Sequence, residues 1–440
     1  MRAVRKLAGG AVAALLLVST AACGSGDGAS SEPGTAESLD PAKDVTITFA
    51  WWGDDDRASK YEEAIDLFEE KHPNVTVQTQ FQAWDDYWTA RNTEAAGGAL
   101  PDVMQMDLSY LRQYGNTGQL LDLTGQIGVN LDTDGLEPSL LEAGLVEGGQ
   151  IGIPTSVNTL ANFYNKDLLD DLGVEPLPEG YTWDEFDAWI EEVSKAGAGK
   201  EPVVYGGSDY WVNFWFFLQY LLTQGQEPFT DDGQLNFDQA DLTDWLNRGQ
   251  PYRDAGDVLF PIQRSNQLAP VTGFTNGEVA VETTWDNFLA QYEAELGDSA
   301  VEMLPLPSGE NGPQQFWKPG MLLSASSQSE EPAAAASLID FLINEPEVGK
   351  IFGTSKGVPA VQAQIDAMDV EPGSVDEQVL QYEKDVAELV TATAPLPVEG
   401  FGEIEVEFRR LGEELQYGNI TVDEFVTQWF SYAEGVIPQP

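Results

Sequence analysis

The sequence predicts an α/β protein with parallel crossovers. Three observations lead there: strand-like and helix-like periods alternate early in the chain, breakers separate them, and the composition is globular. Residues 44–52 read DVTITFAWW, where Val45, Ile47 and Phe49 alternate with polar residues in the period of two that a strand needs. A Gly-Asp turn leads into a helix-period stretch with Tyr61, Ile65, Leu67 and Phe68 as its apolar stripe, ended by Pro73. Residues 75–81 alternate again, 85–96 form a second helix stopped by Gly97-Gly98, and 101–106 supply a third strand. Strand, helix, strand, helix, strand implies parallel pairing, because only a crossover returns the chain in the same direction. Ligands of such sheets lie beyond the carboxyl ends of the strands. Those ends carry Trp51-Trp52, Trp84 and Asp107.

A second unit starts near residues 152–158. Helices are expected at 183–196, 214–223 and 241–254, a turn and strand over 273–284, and an extended exit at 303–308. An Ala-rich helix covers 332–344, with a shorter one reaching Phe352 and a turn at 356–360. The last quarter is largely helical, with acid-rich segments at 371–390 and 403–415. No repeat recurs at a fixed period.

The 440 residues hold 21 Lys and Arg against 74 Asp and Glu, for a formal charge of −53. That excludes ordinary nucleic-acid binding, which needs clustered cations, and disfavours anionic substrates. One histidine and one cysteine remove multi-His zinc sites, intrachain disulfides and most His-based catalysis. His72, at a helix end before a strand, is read as structural.

The chain opens with the basic stretch 1–6, an apolar run over 7–18, and small residues before Cys23. This is the pattern of a secretory signal rather than a membrane span. Its end resembles the bacterial lipobox, in which the cysteine is lipidated and becomes the mature N-terminus; Thr20 departs from the usual Leu. Plain secretion is the alternative. Residues 1–22 are thus expected to be a lipoprotein signal peptide, and the Gly/Ser/Pro/acid segment 23–43 a flexible tether.

Five segments in register resemble the extracellular solute-binding proteins of sugar ABC importers, the family that includes maltose-binding protein. They are residues 45–77 and 84–107, with its Gly-Gly then Pro-Asp-Val cluster, then 151–169, 273–288 and 316–347. The resemblance implies a two-lobed, periplasmic-binding-protein-like α/β fold, each lobe a sheet flanked by helices, with a ligand cleft between them. Lobe one would be 44–153 plus 306–357, and lobe two 158–303 plus 358–440. Hinges are expected near 152–158, 303–307 and 356–360.

Sugar rings present an apolar C–H face and a rim of hydroxyls, so indoles and planar polar groups suit them. At the end of the first strand, Trp51 and Trp52 point to opposite faces, so at most one packs in the core and the other should face the cleft. The resemblance marks Trp285 as a ligand-stacking aromatic, and Trp317 with Gly320 as part of a cleft loop. Trp84, Trp211 and Trp215 are further candidates, although most aromatics of the YWVNFWFFLQYLL stretch must be core. Asp54, Asp107 and Asn158 are candidate partners for hydroxyls, and Arg410 a candidate donor.

The function expected is capture of a neutral sugar or oligosaccharide outside the cell and its delivery to permease subunits. The protein would be a monomer lipid-anchored to the outer face of the bacterial cytoplasmic membrane, with no catalytic residue, cofactor, metal or nucleic acid. A secreted glycoside hydrolase is the rival from another class, and a binding protein for a non-sugar solute the rival within the class. The run Asn130-x-Asp132-x-Asp134-Gly135 resembles the start of an EF-hand loop, but its twelfth position is Leu141, which favours a solvated turn.

Overall fold

The computed structural model describes residues 36–230, 232–297 and 300–438. The signal segment, Cys23 and residues 23–35 of the expected tether lie outside the described residues. Among the described residues no helix is long and apolar enough to cross a membrane.

The first sheet has five strands, in the order Val75–Gln82, Val45–Trp52, Val103–Met106, Leu322–Ala325 and Ile153–Pro154. The first three are parallel, with Val45 opposite Val75 and Phe49 opposite Val103, as the crossovers predict. The last two add antiparallel. Helix Asp55–Lys71 buries Ala58, Tyr61, Ile65 and Phe68 against this sheet, a spacing of three and four that keeps one face inward. Asp54 caps it by accepting from the Arg57 N–H, satisfying one of the free donors of the first turn.

The second sheet runs Val301–Pro305, Leu160–Asn165, Val279–Trp285, Tyr205–Gly207. Helices Trp183–Gly197, Phe214–Thr223, Gln239–Ala255, Phe401–Gln416 and Val422–Val436 supply much of its aromatic core. Ala-rich helix Pro332–Asn344 packs instead on the first sheet.

Between the two sheets lies a third, in which Ser156–Asn158 is flanked by Lys318–Pro319 and Val358–Pro359, both antiparallel to it. Two of these strands fall in the expected hinges, but the middle crossing sits at Lys318–Pro319 rather than at 303–307. The reason is packing. Pro305 still pairs with Ala161, Leu306 and Phe316 are buried in the second core, and Gln219 Nε2 donates to the carbonyls of Pro313 and Gln314. Residues 306–316 therefore belong with the second sheet. Likewise helix Gln362–Ala367 stays with the first core, Gln364 Nε2 donating to the carbonyls of Leu342 and Glu345, so that passage falls after 367 rather than at 358.

Candidate functional site

Trp51 and Trp52 take opposite faces of their strand. Trp51 is fully buried, 4.8 Å from Tyr61 and 5.0 Å from Phe49 between ring centres, and it belongs to the first core. Trp52 faces the other way and meets Trp84 edge-on at 5.0 Å, with Tyr87 and Trp88 beside it. Trp88 stacks on Tyr110 at 3.7 Å, and Trp84, 40% exposed, forms the open side of this cluster.

Tyr110 lies on helix Leu108–Asn116, whose N-cap is Asp107. One Asp107 oxygen accepts from the Ser109 N–H; the other accepts from Lys318 Nζ at 3.1 Å, and both side chains are buried. Lys318 comes from a hinge strand, and its ammonium lies 5.4 Å from the ring centre of Trp285 and 5.7 Å from that of Trp215. These two indoles meet edge-on at 5.6 Å. Glu405 completes the group beside Trp215. Burial, and then the Asp107 charge, push its carboxyl up to about 7 against the opposing pull of Lys318 and Arg409. Helix Phe401–Gln416 brings it there, because Gly402, Glu405 and Arg409 share one face and a Cβ on Gly402 would meet the Tyr110 ring.

The site thus joins the first sheet's strand ends (Asp107, Tyr110), a hinge strand (Lys318) and the second lobe (Trp215, Trp285, Glu405). It offers ring faces, a carboxylate, an ammonium and a carboxyl able to donate or accept. Asp54 sits apart, lining a groove with Arg57, Ser355, Asn287 and Phe288. Asn158 is buried on the central hinge strand, and its amide oxygen has no hydrogen-bond partner among the described residues. Trp317 is half-buried and its indole N–H donates to Glu383 at 2.9 Å.

Four candidates lie elsewhere. Trp51 is core, as above. Trp211 is fully buried between Tyr210 and Tyr252, packed against Gly249. Gly320 serves hinge packing: its N–H donates to the Ser156 carbonyl, and a Cβ would come 2.5 Å from the Lys356 carbonyl oxygen. Arg410 is exposed and pairs with Glu407 one turn back at 2.7 Å. Residue reasoning missed Lys318, Tyr110 and Glu405. Glu405 had a signal, since it stands three residues after a glycine and four before Arg409 on a helix whose opposite stripe, Ile404, Phe408 and Leu411, is apolar.

The EF-hand-like loop closes on itself: Asp132 accepts from the Asp134 N–H, and Asp340 from the Asp132 N–H. Among the described residues no group of three or more His, Cys, Asp or Glu is arranged to hold a metal ion.

A family profile described as bacterial extracellular solute-binding protein matches residues 52–348. The chain is 23% identical over 389 residues to the maltodextrin-binding protein MdxE of Bacillus subtilis (strain 168), covering 84% of each. It is 28% identical over 232 residues to the diacetylchitobiose binding protein DasA of Streptomyces coelicolor, covering 52% of this chain and 51% of that one. In fold it is similar to an ABC substrate-binding protein of Listeria monocytogenes solved with cycloalternan. The TM-score is 0.74 at 21% identity, covering 87% of this chain and 96% of the other.

Proposed function

This chain belongs to the bacterial extracellular solute-binding protein family, and on that premise we propose that it is the carbohydrate-capturing component of an ABC importer. It takes a neutral sugar or oligosaccharide outside the cell and hands it to membrane permease subunits. The observation that carries the reading is the convergence of Trp215, Trp285, Lys318, Asp107 and Glu405 beside the hinge strands. Indoles cover the apolar face of a sugar ring, and charged groups bond its hydroxyls strongly. The relatives named for maltodextrin and diacetylchitobiose favour an oligosaccharide.

The two lobes close over the ligand about the three short hinge strands, because a ligand that touches both lobes stabilises the closed state. Small-angle scattering reads this directly: the radius of gyration falls on adding the sugar, and an unchanged radius at saturation refutes closure. The chain is held at the outer face of the membrane by a lipid on Cys23. Cys23→Ser is then released into the medium, whereas persistent membrane fractionation of that variant refutes the anchor.

A thermal-shift screen against mono-, di- and trisaccharides tests the main reading. Ligand at 100 times its dissociation constant adds about 2.7 kcal/mol of stability. No response to any carbohydrate overturns the assignment, and turnover of an oligosaccharide instead of stoichiometric binding supports the glycoside hydrolase.

A further inference from the structure

The residue after Trp285 is a carboxylic acid shut away from water. Asp286 is 0% exposed, and its carboxyl hydrogen-bonds that of Glu383, 7% exposed, on helix Val375–Val386. Their remaining bonds lead straight to the hinge and the cleft. Asp286 Oδ1 accepts from the Thr159 N–H at 3.2 Å, and its own N–H donates to the Thr159 carbonyl at 3.0 Å, one residue beyond the central hinge strand. Glu383 Oε2 accepts from the Trp317 indole at 2.9 Å, one residue before the neighbouring hinge strand. Among the described residues Asp286 Oδ2 and Glu383 Oε1 accept no hydrogen bond from a fixed donor, and the buried, otherwise unpartnered Thr159 hydroxyl lies beside Glu383.

Among the described residues no cation pairs with either carboxyl. Helix Val375–Val386 also brings Tyr382, whose hydroxyl donates to the Leu160 carbonyl. Helix Leu289–Leu296 brings Tyr292, and Glu293, which accepts from Gln378. The 315–318 segment brings Gln315, and Lys318, whose ammonium turns to Asp107. On the hinge turn, the Lys356 ammonium lies over the rings of Phe352 and Tyr61. Two carboxyl groups in contact and out of water cannot both ionise. One proton between Oδ2 and Oε1 satisfies both orphaned oxygens and leaves a single negative charge.

We propose that Asp286 and Glu383 are positioning residues for the sugar cleft: one shared proton locks the end of the Trp285 strand to the hinge and to Trp317, and removing that proton lowers sugar affinity. The inference rests on the carbohydrate-binding reading for its ligand but not for its proton. Burial first, and then the charge of Glu383, hold the Asp286 carboxyl well above its ordinary range. The proton therefore leaves at a higher pH than an ordinary carboxyl releases its own, and the doubly charged pair must separate.

The test compares wild type, Asp286→Asn and Glu383→Gln, because an amide keeps the hydrogen bond and cannot ionise. Ligand-free tryptophan fluorescence is followed from about pH 6 to pH 10, and calorimetric affinity is measured at about pH 7 and pH 9.5 for the sugar found by screening. Wild type should show a reversible fluorescence transition and lose about tenfold in affinity, or 1.4 kcal/mol. Either amide variant should lack that transition, keeping only the change near pH 7 that Glu405 gives all three proteins, and should hold at pH 9.5 whatever affinity it has at pH 7. Should one variant fail to fold, the other carries the comparison. An alkaline loss identical in all three proteins overturns the proposal. So does stabilisation of wild type, but not Asp286→Asn, by added calcium or sodium chloride, which would put a cation where the proton is assigned. If no carbohydrate binds, the fluorescence arm still decides the proton, and only the carbohydrate-binding reading falls.

Discussion

Two populations of tryptophan divide this molecule. In the second core, Trp183, Trp245 and Trp429 are buried and spend their N–H groups internally: on the Thr223 hydroxyl, the Trp211 carbonyl and the Ile404 carbonyl. At the cleft, Trp285, half-buried, and Trp215, the edge of that same core where it packs on Phe316 and Phe401, turn their rings to the Lys318 ammonium, between Asp107 and Glu405. Residue type is identical in the two places, and partners differ. An indole answered only by other rings and uncharged hydrogen-bond acceptors is holding the fold, whereas one that also faces charged side chains at a hinge is placed to meet a ligand.

The strongest way to break this contrast is to truncate one member of each population. Trp245→Ala should cost ~3–5 kcal/mol of stability through cavity formation, seen as a large fall in melting temperature. The folded fraction should keep its sugar affinity. Trp285→Ala should do the reverse: about 2–4 kcal/mol of binding, from lost apolar area and ring-face contact, or on the order of 30- to 1000-fold in calorimetric affinity. Its melting temperature should move little. A large melting shift with near-normal affinity for Trp285→Ala would put that ring in the core and collapse the distinction.

Gly320 sharpens the contrast from the hinge. Its position beside Trp317 suggested ligand contact, but the Lys356 carbonyl and Ser156 hydroxyl lie where a Cβ would go, both at 2.5 Å. Gly320→Ala should therefore behave as an overpacked core variant, losing ~1–3 kcal/mol in denaturant unfolding. A pure loss of affinity with unchanged unfolding would return Gly320 to the ligand.

Glu405 gives a smaller, pH-dependent effect. Its folded carboxyl titrates at about 7, against about 4.3 for an unperturbed Glu. Between those values the folded chain binds a proton that the unfolded chain has released, so this group makes stability fall as pH rises through that window. Glu405→Gln should flatten that part of the melting profile of the ligand-free protein. An unchanged slope would mean that the carboxyl titrates normally and faces water.

How much of this was legible follows from the range of each interaction. The parallel strands and the helix Asp55–Lys71 are written in periods of two and of three to four, which are local, and they appeared where expected. Asp107 could be flagged because it ends a strand, but its partner Lys318 lies 211 residues away, and no local pattern joins them. The Trp51-Trp52 pair could be split between two faces and no further. Both faces of a central parallel strand are covered, so the choice of which indole nears the cleft is made by Tyr61 on one side and Trp84 on the other. The misplaced hinge at 303–307 has the same origin, because Gln219 anchors the following loop from a distant helix.

The smallest effect separates two adjacent arginines. On a helix, one residue is a rotation of about 100°, so Arg409 and Arg410 cannot serve the same face. Arg409 follows Glu405 by four residues and draws its carboxyl pKa downward, whereas Arg410 reaches back to Glu407 on the solvent side. Exposed pairs of that kind contribute about 0–1 kcal/mol and are screened by salt. Arg410→Ala should therefore leave calorimetric affinity unchanged and shift unfolding by no more than about 0.5 kcal/mol. Arg409→Ala removes a positive charge from the Glu405 side, so the alkaline end of the Glu405 window should move upward in the melting profile while Arg410→Ala leaves it in place. If the effects are exchanged, with Arg410→Ala lowering sugar affinity and Arg409→Ala silent, the helix presents its other face to the cleft, and the charged group assigned to the ligand has to be rebuilt around Glu407.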